Sequence, residues 1–291
     1  MGRKVEFLRT LHKNPTMIKL IVYALRTFMI LLILYLLFGI AMLSFQDKFL
    51  YHPDKNNNFY ECSGFDEYEK VDYNGTRFYY KHLDFSDSVL IYYSGNGGSA
   101  CDRSGLRNYY EGYQASTLFV EYSGYSEDLR EPSIELLQQD VHNIAGFIKN
   151  KTKVYVVGES LGTGLASYHA YHSHVDILLL LAPFYSTQDL GIEKFPYYPI
   201  SFLGIENYDS TYWLEDYEGR IVLLHGELDE NIPSTQSQKL FDSLNTKDKH
   251  LFIFPYAKHN DLYDHFDTQR VIRHTFLNRS YSNRLEEYRY E

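Results

Sequence analysis

The chain has 291 residues, enough for one large domain or two modest ones, and 44% of them are hydrophobic, so a sizeable core can form. The net charge of −10 is divided unevenly: residues 1–46 carry six Lys/Arg and one acid, the remainder 22 Lys/Arg and 37 Asp/Glu. An acidic body lacks the concentrated Lys/Arg that a phosphate backbone requires, which argues against nucleic acid as a partner. The 29 tyrosines leave two outcomes open, a well-packed interior or an adhesive surface.

In chain order, residues 1–27 read as a short basic N-terminus. Residues 28–45 (FMILLILYLLFGIAMLSF) then run for 18 positions without a charge. As a helix that run is about 27 Å long, close to the hydrocarbon thickness of a bilayer. It exceeds the usual apolar region of a signal peptide, and no small-x-small cleavage site follows, so it reads as an uncleaved anchor. Six basic residues precede the span and only Lys48 and Lys55 follow closely. That bias keeps the N-terminus cytoplasmic and places the body on the other side of a single-pass membrane protein. Gly2 is followed by Glu6 where myristoylation wants Ser or Thr.

Residues 46–75 read as a linker and the start of the body, with a loop at the Lys-Asn-Asn-Asn of 55–58. Cys62 and Cys101 either pair or remain separate thiols. Sequons stand at Asn74, Asn150 and Asn278, about the number expected by chance. From residue 76 to 291 short apolar runs alternate with helical patterns. Strands are expected at 88–94, 116–122, 153–159, 176–183, 220–226 and 250–255, rich in β-branched and aromatic residues and mostly apolar on both faces. Helices are expected at 102–114, 133–150, 161–172, 235–245 and 261–278; in the second, Ile134, Leu137, Val141, Ile144 and Ile148 recur at helical spacing. Such alternation predicts an α/β fold with a mostly parallel, doubly wound sheet. In these sheets chemistry sits just beyond the carboxyl ends of the strands.

Three such ends carry suitable residues. Gly158-Glu159-Ser160-Leu161-Gly162 follows a predicted strand and opens a predicted helix, the setting in which a serine on a tight turn acts as a nucleophile. A serine hydroxyl needs a base to take its proton. Asp229 lies past the 220–226 strand and His259 past the 250–255 strand, in the order serine, acid, histidine. An oxyanion hole is expected from the backbone N–H groups of Leu161 and of Asn96 in the glycine-rich loop 92–100, with Gly97 the neighbour that competes for the second role. His169, His172 and His174 lack an acid spaced to complete a metal site and read as solvated helix-end residues. No metal and no cofactor is expected.

Taken together these stretches resemble the α/β-hydrolase superfamily, most closely its single-pass, membrane-anchored α/β-hydrolase-domain serine hydrolases, a group that includes lipid esterases and protein depalmitoylases. The likeness rests on Gln46–Pro53, the Tyr92–Ser99 loop, Val156–Gly164, His225–Pro233 and Ala257–Leu262, and covers nearly everything after residue 46. It implies Ser160 as nucleophile, Asp229 as acid and His259 as base. Relatives usually begin the glycine loop His-Gly-Asn, whereas this chain has Ser94-Gly95-Asn96. The superfamily's lid falls at 184–217, short at 34 residues and holding ten aromatics, Trp213 among them. It is either an apolar wall for an acyl chain or a set of helices packed on the sheet. The function expected is hydrolysis of a carboxylic ester or thioester of an acyl lipid or acylated protein. A peptidase or amidase on the same residues, and a non-catalytic membrane scaffold, are the alternatives. Some members of the group work at the cytoplasmic face, opposite to the side the charge bias indicates.

Overall fold

The six apolar runs fold as six parallel strands at the centre of one nine-stranded sheet. In the computed structural model, which describes residues 15–203, 205–277 and 288–290, the strands are β1 (Glu69–Tyr73), β2 (Thr76–Lys81), β3 (Ser88–Tyr93), β4 (Ser116–Glu121), β5 (Lys153–Glu159), β6 (Ile177–Leu181), β7 (Arg220–Gly226), β8 (Lys249–Phe254) and β9 (Arg289–Tyr290). Their spatial order is β1-β2-β4-β3-β5-β6-β7-β8-β9. β3 through β8 are parallel, while β1, β2 and β9 run antiparallel to their neighbours. From β3 the chain crosses first to one side, to β4, and then to the other, to β5. That reversal opens a crevice at the carboxyl ends of β3 and β5.

The helices are α1 (Pro15–Ser44), α2 (Gln46–Leu50), α3 (Arg107–Tyr110), α4 (Ile134–Phe147), α5 (Leu161–His172), α6 (Thr187–Lys194), α7 (Ser210–Trp213), α8 (Ser234–Ser243) and α9 (Phe266–Phe276). Two apolar clusters fill the faces of the sheet. One packs α4 and α5 against Ile91, Val156 and Leu180; the other packs α9 against Leu90, Val157 and Leu224. Ser133 starts α4 by accepting a hydrogen bond from the Leu136 N–H at 3.3 Å. The expected helix at 102–114 is instead a 3₁₀ turn, Cys101–Leu106, running into the one-turn α3. The helix expected at 261–278 begins as a 3₁₀ turn, Leu262–Asp264, before α9; Asn278 lies outside the described residues.

β1 and β2 went unseen as strands because their burial pattern is not an apolar run. β1 is a half-solvated edge strand carrying Glu69, Lys70 and Asp72. β2 buries Arg77, whose guanidinium meets Glu127 at 2.6 Å and the Tyr125 carbonyl at 2.8 Å. The sheet therefore begins within the 46–75 segment. Cys62 in that segment is joined to Cys101 by a disulfide. Seven tyrosines are fully buried, Tyr79, Tyr92, Tyr93, Tyr110, Tyr122, Tyr125 and Tyr208, each with its hydroxyl hydrogen-bonded. Asn74 and Asn150 are both exposed.

α1 is long and apolar enough to cross a membrane, with a mean hydropathy of 2.5 in its most apolar window, and almost all of it is exposed. It begins earlier than the uncharged 28–45 run, taking in Lys19 and Arg26.

Candidate active site

Ser160 sits between β5 and α5 with φ 52° and ψ −118°, a backbone conformation side chains other than glycine rarely adopt. The turn persists because both flanks are pressed against other backbone. A Cβ on Gly158 would lie 2.5 Å from the Gly162 carbonyl oxygen, and one on Gly162 would lie 2.2 Å from that of Tyr93. The Ser160 N–H donates to the Leu181 carbonyl at 2.9 Å, which pins the turn to the end of β6. The first turn of α5 closes on Ser160 as well, since the Thr163 N–H and hydroxyl both donate to its carbonyl, at 2.9 and 2.6 Å.

Asp229 and His259 are brought together by a second close approach. Gly226, at the end of β7, lies against the loop after β8; a Cβ there would meet the Ala257 carbonyl oxygen at 2.3 Å. The Leu228 N–H donates to that same carbonyl at 3.0 Å. The two loops are thus fused at the backbone, two or three residues from each functional side chain. Across that junction His259 Nδ1 meets Asp229 Oδ2 at 2.6 Å, and His259 Nε2 faces Ser160 Oγ at 3.1 Å. With Nδ1 donating to the carboxylate, Nε2 is left as the acceptor for the serine hydroxyl.

The Asp229 carboxylate is wholly shielded from solvent. Burial alone would raise its pKa, but hydrogen bonds from His225, His259 and the Ile232 N–H outweigh that cost and hold it well below the usual carboxylate range. Its Oδ1 accepts the N–H groups of Asn231 and Ile232, each at 2.8 Å. His225, which sequence reading passed over, is fully buried beside it. His225 Nε2 lies between two acceptors, the Ile232 carbonyl at 2.8 Å and Asp229 Oδ2 at 3.3 Å, so that nitrogen carries the proton. Nδ1 pairs with the Ser237 hydroxyl. The signal for it was an ionisable side chain in the otherwise apolar run of β7.

Asn96 and Leu161 both line the cleft over Ser160, which has a volume of about 360 Å³. The Asn96 carbonyl accepts the His52 N–H at 3.0 Å and the Tyr125 hydroxyl at 2.8 Å. Its side-chain amide donates to the Leu50 carbonyl at 2.9 Å. The position held by histidine in relatives is Ser94, whose carbonyl accepts the Tyr122 hydroxyl at 2.6 Å. Gly97 pairs with His52 in a short parallel bridge. Further walls come from Phe49 and Leu50 of α2, from Phe184, Thr187, Leu190 and Lys194 of the 184–217 segment, and from Asn231 and Ile232.

The lid divides into two halves with different surroundings. Tyr208 and Trp213 are buried against α5: the Trp213 ring meets Tyr168 at 5.1 Å, and Tyr208 lies so close to Gly164 that a Cβ there would sit 2.8 Å from its ring. Residues 184–194 instead form a wall of the cleft.

One expectation is corrected. His169 is not a solvated helix-end residue but fully buried, with Nδ1 against the Tyr93 hydroxyl at 2.8 Å; burial pulls its pKa down to about 3. The inward face of α5 points this position into the core. His172 and His174 are exposed. Among the described residues, no group of three or more His, Cys, Asp or Glu side chains is arranged to hold a metal ion.

The strand order, the reversal at β3 and the strained serine between β5 and α5 are those of the α/β-hydrolase fold, which the solved structures this chain resembles share. No family model matches the chain. It is similar to protein bem46 of Schizosaccharomyces pombe, 26% identical over 190 residues covering 60% of this chain and 62% of that one. The chain spans less than two thirds of the length of the curated relatives it matches first. Among solved structures, an esterase from Pyrococcus furiosus aligns with a TM-score of 0.60 at 14% identity, over 78% of this chain and 98% of that one. A monoacylglycerol lipase from Paleococcus ferrophilus aligns at 0.53 and 15% identity, over 69% and 97%. At these identities the likeness to the solved structures is one of fold.

Proposed function

We propose that the protein is a membrane-anchored serine hydrolase that cleaves carboxylic esters or thioesters of acyl lipids or acylated proteins. The observation that carries the reading is the unbroken hydrogen-bonded line from Ser160 Oγ through His259 to the buried, ionised Asp229. Esterase and lipase chemistry in the fold neighbours supports it. In this scheme His259 Nε2 removes the Ser160 proton as Oγ attacks the acyl carbonyl, and Asp229 holds the imidazole tautomer and stabilises its positive charge. The N–H groups of Asn96 and Leu161 receive the oxyanion. His259 then protonates the leaving alcohol or thiol, and water activated by the same nitrogen releases the acid.

α1 serves as the anchor, with the N-terminus in the cytoplasm and the body on the other side. The Lys/Arg excess before the span supports that orientation. The Cys62–Cys101 disulfide supports it independently, since such bonds persist in oxidising compartments. Protease digestion of sealed vesicles tests it: the body is protected inside lumen-facing vesicles and digested if it faces the cytoplasm.

Ser160→Ala is expected to abolish both ester hydrolysis and labelling by a fluorophosphonate probe while leaving the folded body intact by circular dichroism. Labelling that survives the substitution would remove Ser160 from the nucleophile role.

A further inference from the structure

The lid reaches back to the anchor. The Tyr198 ring stacks on that of Tyr35 in α1 with centroids 4.4 Å apart, and Phe38 lies 5.1 Å away. The Tyr35 hydroxyl donates to the Tyr197 carbonyl at 2.9 Å, and the Tyr198 hydroxyl to the Tyr35 carbonyl at 3.3 Å. Gly39, beneath the Tyr198 ring, is the one buried residue among those described in α1. Tyr35 precedes the end of α1 at Ser44 by nine residues, about 13 Å along the axis at about 1.5 Å per residue. Half of a bilayer's hydrocarbon core is about 15 Å. If α1 crosses the membrane up to Ser44, the contact falls inside the leaflet that faces the body.

The lid's composition suits that depth. Residues 195–203 read Phe-Pro-Tyr-Tyr-Pro-Ile-Ser-Phe-Leu, nine positions without a charge on an otherwise acidic body. Tyr197 is 89% exposed and Phe202 88%, so their rings project away from the protein. Hydrocarbon penalises every unpaired backbone group. Here Pro196 and Pro199 have no N–H, and the N–H groups of Phe195, Tyr198, Ile200, Phe202 and Leu203 all donate to carbonyls within the lid.

Two walls of the cleft are connected to these two elements. Phe49 and Leu50 belong to α2, which follows α1 after a single residue, and Leu190 and Lys194 belong to α6, which runs directly into the tip. We infer that residues 195–203 form a second membrane contact, a monotopic tip that dips into the leaflet beside α1, so that the cleft over Ser160 opens toward the lipid and receives acyl chains from molecules held in that leaflet. This rests on the anchor and hydrolase readings above and adds the route by which substrate arrives.

The test uses the full-length chain in phosphatidylcholine vesicles, carrying Ser160→Ala so that the readout does not depend on turnover. An environment-sensitive fluorophore is attached at Phe202→Cys, at Leu36→Cys on α1, and at Phe85→Cys, a fully exposed site on the loop before β3, at the amino ends of the parallel strands and away from the cleft. The 202 label is expected to shift to the blue and be quenched by nitroxide-bearing lipids, as is the 36 label, while the 85 label is not. A 202 label as wet and unquenched as the 85 label, beside a quenched 36 label, overturns the inference and leaves the anchor standing. An unquenched 36 label overturns both. A blue shift at 202 without lipid quenching assigns the tip to a protein partner and also overturns it. In the chain with Ser160 intact, Phe202→Asp is expected to lower hydrolysis of a vesicle-borne acyl ester about tenfold or more, the loss of one buried aromatic ring, while sparing a short water-soluble ester. Equal effects on the two substrates would count against lateral entry.

Discussion

The floor of the cleft and the 184–217 segment beside it are held in place by different kinds of contact. On the floor backbone touches backbone: Gly162 against Tyr93, Gly226 against Ala257, with the Asp229 carboxylate closed off from solvent. The 184–217 segment is held by aromatic rings, Trp213 edge-on to Tyr168 and Tyr198 stacked on Tyr35, with Tyr197 and Phe202 left exposed. Close backbone packing cannot yield by even a methyl group, whereas stacked rings slide at small cost. The difference suits a site whose reacting atoms need fixed geometry while its surroundings can adjust.

Substitutions that address one region at a time sharpen this contrast. Asp229→Asn keeps the floor's shape and removes its charge, and is expected to cost on the order of 10³–10⁴ in kcat through the wrong imidazole tautomer. Stopped-flow or steady-state ester assays check it, and a loss below tenfold would mean the carboxylate is not coupled to His259. Trp213→Ala attacks the support of the 184–217 segment instead. It is expected to lower stability by about 3–5 kcal/mol in urea unfolding, since the ring is buried against Tyr168 and Tyr208. Turnover of a short soluble ester should change far less than stability does.

A pH-dependent effect concerns the floor's outer layer. His169 has a folded pKa of about 3, below the usual value near 6.5. The unfolded chain then binds a proton that the folded one refuses. The stability this neutral ring contributes is complete above pH ~6.5 and is lost as pH falls toward 3, by up to about 1.4 kcal/mol per pH unit. Denaturant midpoints measured from pH 7 to 4 should fall less steeply in His169→Gln than in the parent chain; identical slopes would place the acid sensitivity elsewhere.

How much of this could be read in advance varied with the range of the interaction. The six central strands announced themselves because strands buried on both faces must be apolar throughout, as Ile177–Leu181 is. The Gly158–Gly162 turn was legible because its steric demand is local. β1 and β2 were hidden by Glu69, Asp72 and Arg77, charges that an edge strand and a buried ion pair tolerate but a pattern search rejects. The pairing of Cys62 with Cys101 depends on tertiary approach, and two sulfurs 39 residues apart carry no sign of it. The stacking of Tyr198 on Tyr35, across more than half the chain, was beyond any local reading.

The Cys62–Cys101 bond has a consequence for anyone producing this protein. It closes a loop spanning a sequence separation of 39 that contains β1, β2 and β3 as well as the glycine loop over Ser160. Cross-linking a loop of that length removes chain entropy from the unfolded state worth about 4 kcal/mol. A host that keeps thiols reduced would make the chain without that contribution, and the first part to loosen would be the one that carries Asn96. Expression through a secretory route is therefore expected to preserve that contribution.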